Sequence, residues 1–253
     1  MSRTALVTGA SGGIGREIAI DLAGNGWTVV IASRNVDGLK ETAERAKGTV
    51  HVRSLDQHNE SEVEALAAEL EESGLTPDAL INNSGVAGPS KPLWEIDTDE
   101  WDDTVAVNLR GVFLCCKAFL PAMIARGSGS IVNIGSVTGK NPLVNRSPYA
   151  ASKAALIGLT KTLASDAGPH GVRANLVSPG AVGGERLEWV VKSQAEATGR
   201  SPDEIRAEAS SSSALKRFAD PEEVAKAVRF LASDESSGVT GIDVTVSAGF
   251  VMN

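Results

Sequence analysis

Short apolar runs rich in Val, Ile and Ala alternate along this chain with longer stretches whose apolar positions recur every three to four residues. The first pattern fits a strand buried on both faces, and the second a helix with one buried side. Strands are predicted at Ala5–Thr8, Thr28–Ala32, Val50–Ser54, Ala79–Asn82, Ser130–Ile134, Arg173–Val177 and Asp243–Val246. Helices are predicted at Ile14–Ala23, Val36–Ala46, Ser61–Glu72, Thr98–Ala125, Tyr149–Ala167 and Pro221–Ala232. The Ser61–Glu72 segment places Val63, Leu66, Ala67 and Leu70 on one side and glutamates on the other. Strands alternating with helices imply right-handed crossovers, which lay the strands parallel and cover both faces of the sheet. The expectation is a doubly wound α/β fold, with a seven-stranded parallel sheet flanked by helices on both faces, forming a single domain over residues 1–253.

One interval breaks the alternation. Gly180 to Phe218 is long and polar, with helical patterns at Glu185–Thr198 and Pro202–Ser210 and four serines at Ser210–Ser213. A long excursion from a compact domain is usually functional, so a lid over a binding site is expected at about 180–218.

Composition narrows the chemistry. With 253 residues and 42% hydrophobic positions the chain is long enough for a stable core. Its formal charge of −8 disfavours a nucleic-acid partner bound through phosphate neutralisation. Three scattered histidines (His51, His58, His170) and the adjacent Cys115 and Cys116 offer no metal-ligand spacing, so no metal site is expected. The two cysteines sit in an apolar part of the long Thr98–Ala125 segment and read as core residues. No apolar run reads as long enough to span a bilayer, and Thr4–Thr8 leads straight into a glycine loop, so no membrane partner and a cytoplasmic location are expected. Among ten aromatic residues there is one tyrosine, Tyr149; any mechanism that needs a phenol has one candidate.

The glycine loop Thr8-Gly9-Ala10-Ser11-Gly12-Gly13-Ile14-Gly15 directly follows the first strand and opens the first helix. Glycines there let the backbone approach a pyrophosphate, whose charge the free N–H groups and dipole of the helix N-terminus stabilise. Further along, Tyr149 and Lys153 are four apart at the start of a helical pattern, which places them on one face. A free phenol titrates near ~10, so proton transfer near neutral pH needs a nearby positive charge, and the lysine supplies one. Ser136 lies at the end of a predicted strand, where open α/β sheets place their ligands.

This set, in this order, resembles the short-chain dehydrogenase/reductase family: the TGxxxGxG loop at Gly9, Gly13 and Gly15, and the YxxxK pair with Ser136 thirteen residues ahead. The resemblance covers essentially the whole chain and implies a Rossmann-like fold binding a nicotinamide dinucleotide. It assigns Gly9, Ser11, Gly12, Gly13, Ile14 and Gly15 to the cofactor's pyrophosphate, and Leu55 and Asp56 to its adenine. Asn82, Asn83, Ser84 and Gly85 match the NNAG segment along the cofactor, with Ser84 for the usual Ala. Pro179, Gly180 and Val182 fall beside the nicotinamide, while Gly184 replaces the usual Thr. At the end of strand two, Ser33 stands where NAD-using members carry Asp, and Arg34 and Asn35 follow. Arginine's fork of donors suits a 2′-phosphate, so NADP(H) is favoured. NAD(H) remains the alternative, because Gly12 occupies a position that is basic in many NADP-dependent relatives.

The resemblance also implies the catalytic roles. Tyr149 exchanges the proton, Ser136 orients the substrate oxygen, Lys153 binds the nicotinamide ribose and tunes Tyr149, and Asn108 bends its helix and holds a water leading to Lys153. The implied activity is hydride transfer between the cofactor and a small ketone, aldehyde or alcohol. Three stretches should set specificity: Val86–Trp94, Gly139–Pro148 and the lid, whose Asn141, Asn145, Arg146, Glu185, Arg186, Trp189 and Lys192 lean toward a small oxygenated substrate. The helices at Trp101–Ala125 and Tyr149–Ala167 resemble those that pair between subunits, implying a homotetramer, or else a dimer. The rivals are an NAD-dependent dehydrogenase of a polyol or hydroxy compound, a non-catalytic dinucleotide sensor, and an epimerase or dehydratase. The sensor is disfavoured by the intact four-residue set, and the last by the absence of a large C-terminal domain.

Overall fold

In the computed structural model, described for residues 3–252 except 185, 186, 189, 190, 193, 194, 196 and 197, the seven predicted strands form one sheet. They are β1 (Thr4–Thr8), β2 (Thr28–Ser33), β3 (Val50–Ser54), β4 (Ala79–Asn82), β5 (Gly129–Ile134), β6 (Val172–Pro179) and β7 (Asp243–Val246). The order is β3-β2-β1-β4-β5-β6-β7, with every neighbouring pair parallel. All seven carboxyl ends therefore lie along one edge, and the order reverses between β1 and β4. That crevice is where open α/β sheets bind ligands.

The helices are α1 (Gly13–Gly24), α2 (Val36–Arg45), α3 (Glu60–Glu72), α4 (Thr98–Val105), α5 (Gly111–Arg126), α6 (Ser147–Ala167), α7 (Pro202–Ser211) and α8 (Pro221–Ala232). Successive side chains of a strand point to opposite faces, which is why the inner strands are apolar throughout. Ala5 and Val7 join Ile18 and Leu22 of α1, Leu39 of α2 and Val228 of α8 in one core. Leu6, between them, joins Leu66 of α3, Leu114 and Phe119 of α5, and Leu156 of α6 in the other.

The segment predicted as one helix, Thr98–Ala125, is interrupted by a π turn at Ala106–Arg110 that separates α4 from α5. The 29-residue stretch Thr98–Arg126 is also long and apolar enough to cross a membrane by length and composition, a correction to the sequence reading. Its hydropathy has a core explanation: Val112, Leu114, Cys115, Cys116, Phe119 and Met123 are buried beneath the sheet. Cys115 and Cys116 are free, and burial raises both thiols well above the ordinary range. Helix α6 starts two residues before Tyr149, with a proline in its first turn, where a missing N–H costs no hydrogen bond.

The long polar excursion leaves and rejoins the domain at one place. Val182 bridges Ala219, and Gly183 N donates to the Ala219 carbonyl. Of the predicted helix Glu185–Thr198, the described residues Leu187, Glu188, Val191, Lys192, Ala195 and Thr198 are helical. Glu185, Arg186 and Trp189 lie outside the described residues. A reciprocal cap between Ser201 and Glu204 starts α7, and Val191, Ala195 and Ile205 form a small cluster of their own.

Candidate active site

The loop between β1 and α1 is shaped by two glycines that pack inward and two that face outward. A Cβ on Gly9, whose φ is +67°, would lie 2.7 Å from Ser84 Cα. A Cβ on Gly15 would lie 2.5 Å from the Gly9 carbonyl oxygen and collide with the Asn83 amide. Gly12 and Gly13 have nothing within 4 Å of that position. Gly12 caps α1 without a side-chain hydrogen bond, so no side chain covers the first N–H groups of the helix. An open backbone cradle before an uncapped helix suits a pyrophosphate, and the residues present fit a bound dinucleotide.

The segment after β4 is fastened to this loop. Thr8 Oγ1 accepts from the backbone N–H groups of Asn83 and Ser84, both at 3.1 Å, and Asn83 Nδ2 donates to the carbonyls of Thr8 and Gly9. Asn82 points into the core, where its Nδ2 donates to Asn133 Oδ1 at 2.9 Å. Two roles here were not read from the sequence. Thr8 is the joint between the segments, and Arg16 is tied to the Ser11 carbonyl and to Glu41, bracing the loop from behind. The threonine directly before Gly9 was the available signal for the first.

At the end of β2, Ser33 Oγ donates to the Asn35 carbonyl and Asn35 caps α2, so both are structural anchors. Arg34 is exposed, its guanidinium 3.8 Å from Asp56 Oδ2 at the end of the neighbouring strand. Leu55 is buried beside it. On the far side, Gly180 N donates to the Val246 carbonyl, which holds the Pro179–Gly180 turn against β7.

The four proposed catalytic residues gather from β5, the π turn and α6. Ser136 lies two residues beyond β5, where its Oγ accepts from Thr138 N at 3.1 Å and starts a 3-10 turn, Val137–Gly139. That turn lies against α6, since a Cβ on Gly139 would be 2.8 Å from the Lys153 carbonyl carbon. Lys153 is buried, donates to the Ile134 carbonyl at 2.8 Å, and lies with its Nζ 5.9 Å from the Tyr149 ring centre. Burial lowers its ammonium pKa to about 8. The Arg146 guanidinium stacks 5.1 Å from the other candidate's ring, that of Tyr149. Asn108 is wholly buried in the π turn. Its Oδ1 accepts from Val86 N, and its Nδ2 donates to the Val86 carbonyl and to Ser152 Oγ. The side chain thus bolts the segment after β4 to α6, and the π turn supplies the helix distortion expected of it. A Cβ on Gly85 would lie 3.2 Å from Asn108 Oδ1 and 3.4 Å from Lys153 Nζ, so both border the same spot.

The two loops expected to set specificity, Val86–Trp94 and Gly139–Pro148, meet where Lys91 N donates to the Asn145 carbonyl. They expose Leu93, Trp94, Leu143 and Val144, an apolar rim that the sequence reading, drawn to the polar residues, did not weigh. Lys140 is clamped to Asp243 at 2.8 Å and donates to Thr245 Oγ1, fixing the turn after Ser136 onto β7. A cleft of about 490 Å³ lies elsewhere, beside the C-terminal turn between Arg217, Glu223 and Thr245–Gly249, and not at Tyr149.

The family described as enoyl-(acyl carrier protein) reductase matches residues 9–251. The chain is 38% identical to the short chain dehydrogenase/reductase astE of Aspergillus oryzae, over 98% of this chain and 94% of that one. It is 34% identical to the 3-oxoacyl-(acyl-carrier-protein) reductase FabG of Staphylococcus aureus, over 100% and 99%. Among solved structures, an actinorhodin polyketide ketoreductase with NADPH superimposes with a TM-score of 0.90 at 35% identity, over 98% of this chain and 97% of that one. An NAD+-bound xylitol dehydrogenase also gives a TM-score of 0.90, at 29% identity over 98% of each chain.

Proposed function

The chain belongs to the short-chain dehydrogenase/reductase family, and from its site we propose an NADP(H)-dependent ketone reductase in which Tyr149 is the general acid. The coarser activity, NAD(P)-dependent interconversion of a carbonyl and an alcohol, follows from the family itself. The observation that carries the Tyr149 step is the buried Lys153, whose Nζ donates to the Ile134 carbonyl and lies 5.9 Å from the Tyr149 ring centre.

A bound nicotinamide would supply the hydride to the carbonyl carbon. Gly12 and Gly13 would leave the backbone open to the dinucleotide's pyrophosphate, and Asn83–Gly85 with Pro179, Gly180 and Val182 would hold the rest of it. Ser136 Oγ directs a hydrogen bond at the substrate oxygen, and Tyr149 delivers the proton there. Lys153, cationic below about pH 8, stabilises the phenolate that remains. Asn108 positions the segment beside Lys153 and so keeps the ammonium in place. General acid catalysis of this kind is worth about 10²–10⁴-fold.

Arg34 beside an unacidic strand end supports the 2′-phosphate form of the cofactor. The exposed Leu93, Trp94, Leu143 and Val144 favour a carbonyl with an apolar arm over the small oxygenated substrate the loops first suggested. The NAD+-bound xylitol dehydrogenase keeps the polyol dehydrogenase as the second reading. A cytoplasmic homotetramer completes the proposal. Loss of nicotinamide absorbance over a series of ketones with lengthening alkyl chains, with each cofactor in turn, tests it. Higher kcat/KM with NADPH, rising with chain length, is expected. Higher kcat/KM with NADH, or oxidation of polyols in preference, selects the second reading.

A further inference from the structure

The carboxylate of Asp56 stands between two basic side chains. Its Oδ2 is 3.8 Å from Arg34 Nη1, and its Oδ1 is 2.9 Å from His58 Nδ1. The turn that carries it is firmly set. Asp56 N donates to Glu62 Oε2, Asn59 N donates to the Asp56 carbonyl, and the buried Gln57 donates to the Val107 carbonyl. Arg110 donates to the His58 carbonyl, and Glu60 is engaged by Lys117 at 2.6 Å and Arg110 at 3.6 Å. Among the described residues, Asp56 is the carboxylate within ion-pair distance of both His58 and Arg34.

Arg34 cannot serve Asp56 and a 2′-phosphate equally. While His58 is neutral, Asp56 draws on the guanidinium and offers a negative charge near the incoming phosphate. Once His58 is protonated, it neutralises Asp56 and leaves Arg34 to the phosphate. We infer that His58 is a specificity-positioning residue that, through Asp56 and Arg34, makes the preference for a 2′-phosphorylated adenine nucleotide pH-dependent. This rests on the NADP(H) reading of the same end of the site. All three groups are at least a quarter exposed, so the effect is modest, about two- to fivefold in affinity ratio.

The test is equilibrium binding by calorimetry, without turnover, of adenosine 2′,5′-bisphosphate and adenosine 5′-monophosphate. The ratio of their association constants cancels contacts to adenine and the 5′-phosphate. It is measured from pH 5.5 to 8 for the wild type, His58→Gln and Asp56→Asn. The 2′-phosphate's own ionisation is common to all three, so the comparison is between proteins. As pH rises, the wild-type ratio should fall about two- to fivefold relative to that of His58→Gln. In Asp56→Asn, with the competing carboxylate gone, the ratio should stay near the wild type's low-pH level on the same comparison. Parallel wild-type and His58→Gln curves, with ratios still above one, would overturn the role of His58 and leave the NADP(H) reading standing. Ratios below one in all three proteins at every pH would overturn the NADP(H) reading, and this inference with it.

Discussion

Lys153 shows how a functional residue works against stability. It is buried, its Nζ donates to the Ile134 carbonyl, and desolvation holds its pKa at about 8, against 10.5 for a free lysine. Between those values the unfolded chain binds more protons than the folded one, so stability climbs as pH rises from 8 to 10.5. Below pH 8 the whole cost of the buried charge is present. Lys153→Met should therefore raise the stability of the cofactor-free protein at pH 7 by about 1–3 kcal/mol while abolishing reduction. Urea denaturation of the two proteins checks this, and a less stable variant would show that Lys153 is held by compensating contacts. That Tyr149 and Lys153 share a helix face and that Ser136 stands beyond a strand end were legible from helix and strand periodicity, whereas their spacing was read from the family resemblance. The bonding of Asn108 was not. Its partner Val86 is 22 residues away, and nothing local marks the π turn that aims the side chain.

At the scale of elements, the glycine loop separates packing from binding. Gly15 must lack a Cβ because the Gly9 carbonyl occupies that space, whereas nothing stands near Gly12, whose φ of −178° any residue can adopt. Gly12→Ala should leave stability within about 0.5 kcal/mol of wild type and dinucleotide binding within about threefold, because the backbone N–H groups stay in place and the resemblance puts larger side chains at this position in NADP-dependent relatives. Gly15→Ala should damage both. Thermal melts paired with dinucleotide titration resolve the two, and full binding by Gly15→Ala would move the pyrophosphate off this loop. The glycine pattern announced the loop's presence, but not which glycines face inward. That depends on where Asn83 and Ser84 pack, a tertiary contact more than 65 residues away in the chain.

For the whole molecule, the alternation of strands and helices carried the sheet, its parallel order and its two cores, since each strand's apolar residues serve both faces. The apolar rim at the mouth escaped because Leu93, Trp94, Leu143 and Val144 read as ordinary loop residues until two loops were seen to meet. Helix α5 also exposes Phe113, which suits burial against a second copy. Sedimentation equilibrium should give four times the 26.2 kDa chain mass, and Phe113→Glu should shift it toward smaller species. A wild-type monomer would refute the proposed assembly. The central claim is the proton step. Tyr149→Phe removes the only phenol in the chain and leaves the cofactor cradle intact. With a ketone that the wild type reduces, its kcat should fall about 10²–10⁴-fold while NADPH affinity stays within about twofold. A kcat within tenfold of wild type would contradict Tyr149 as the acid.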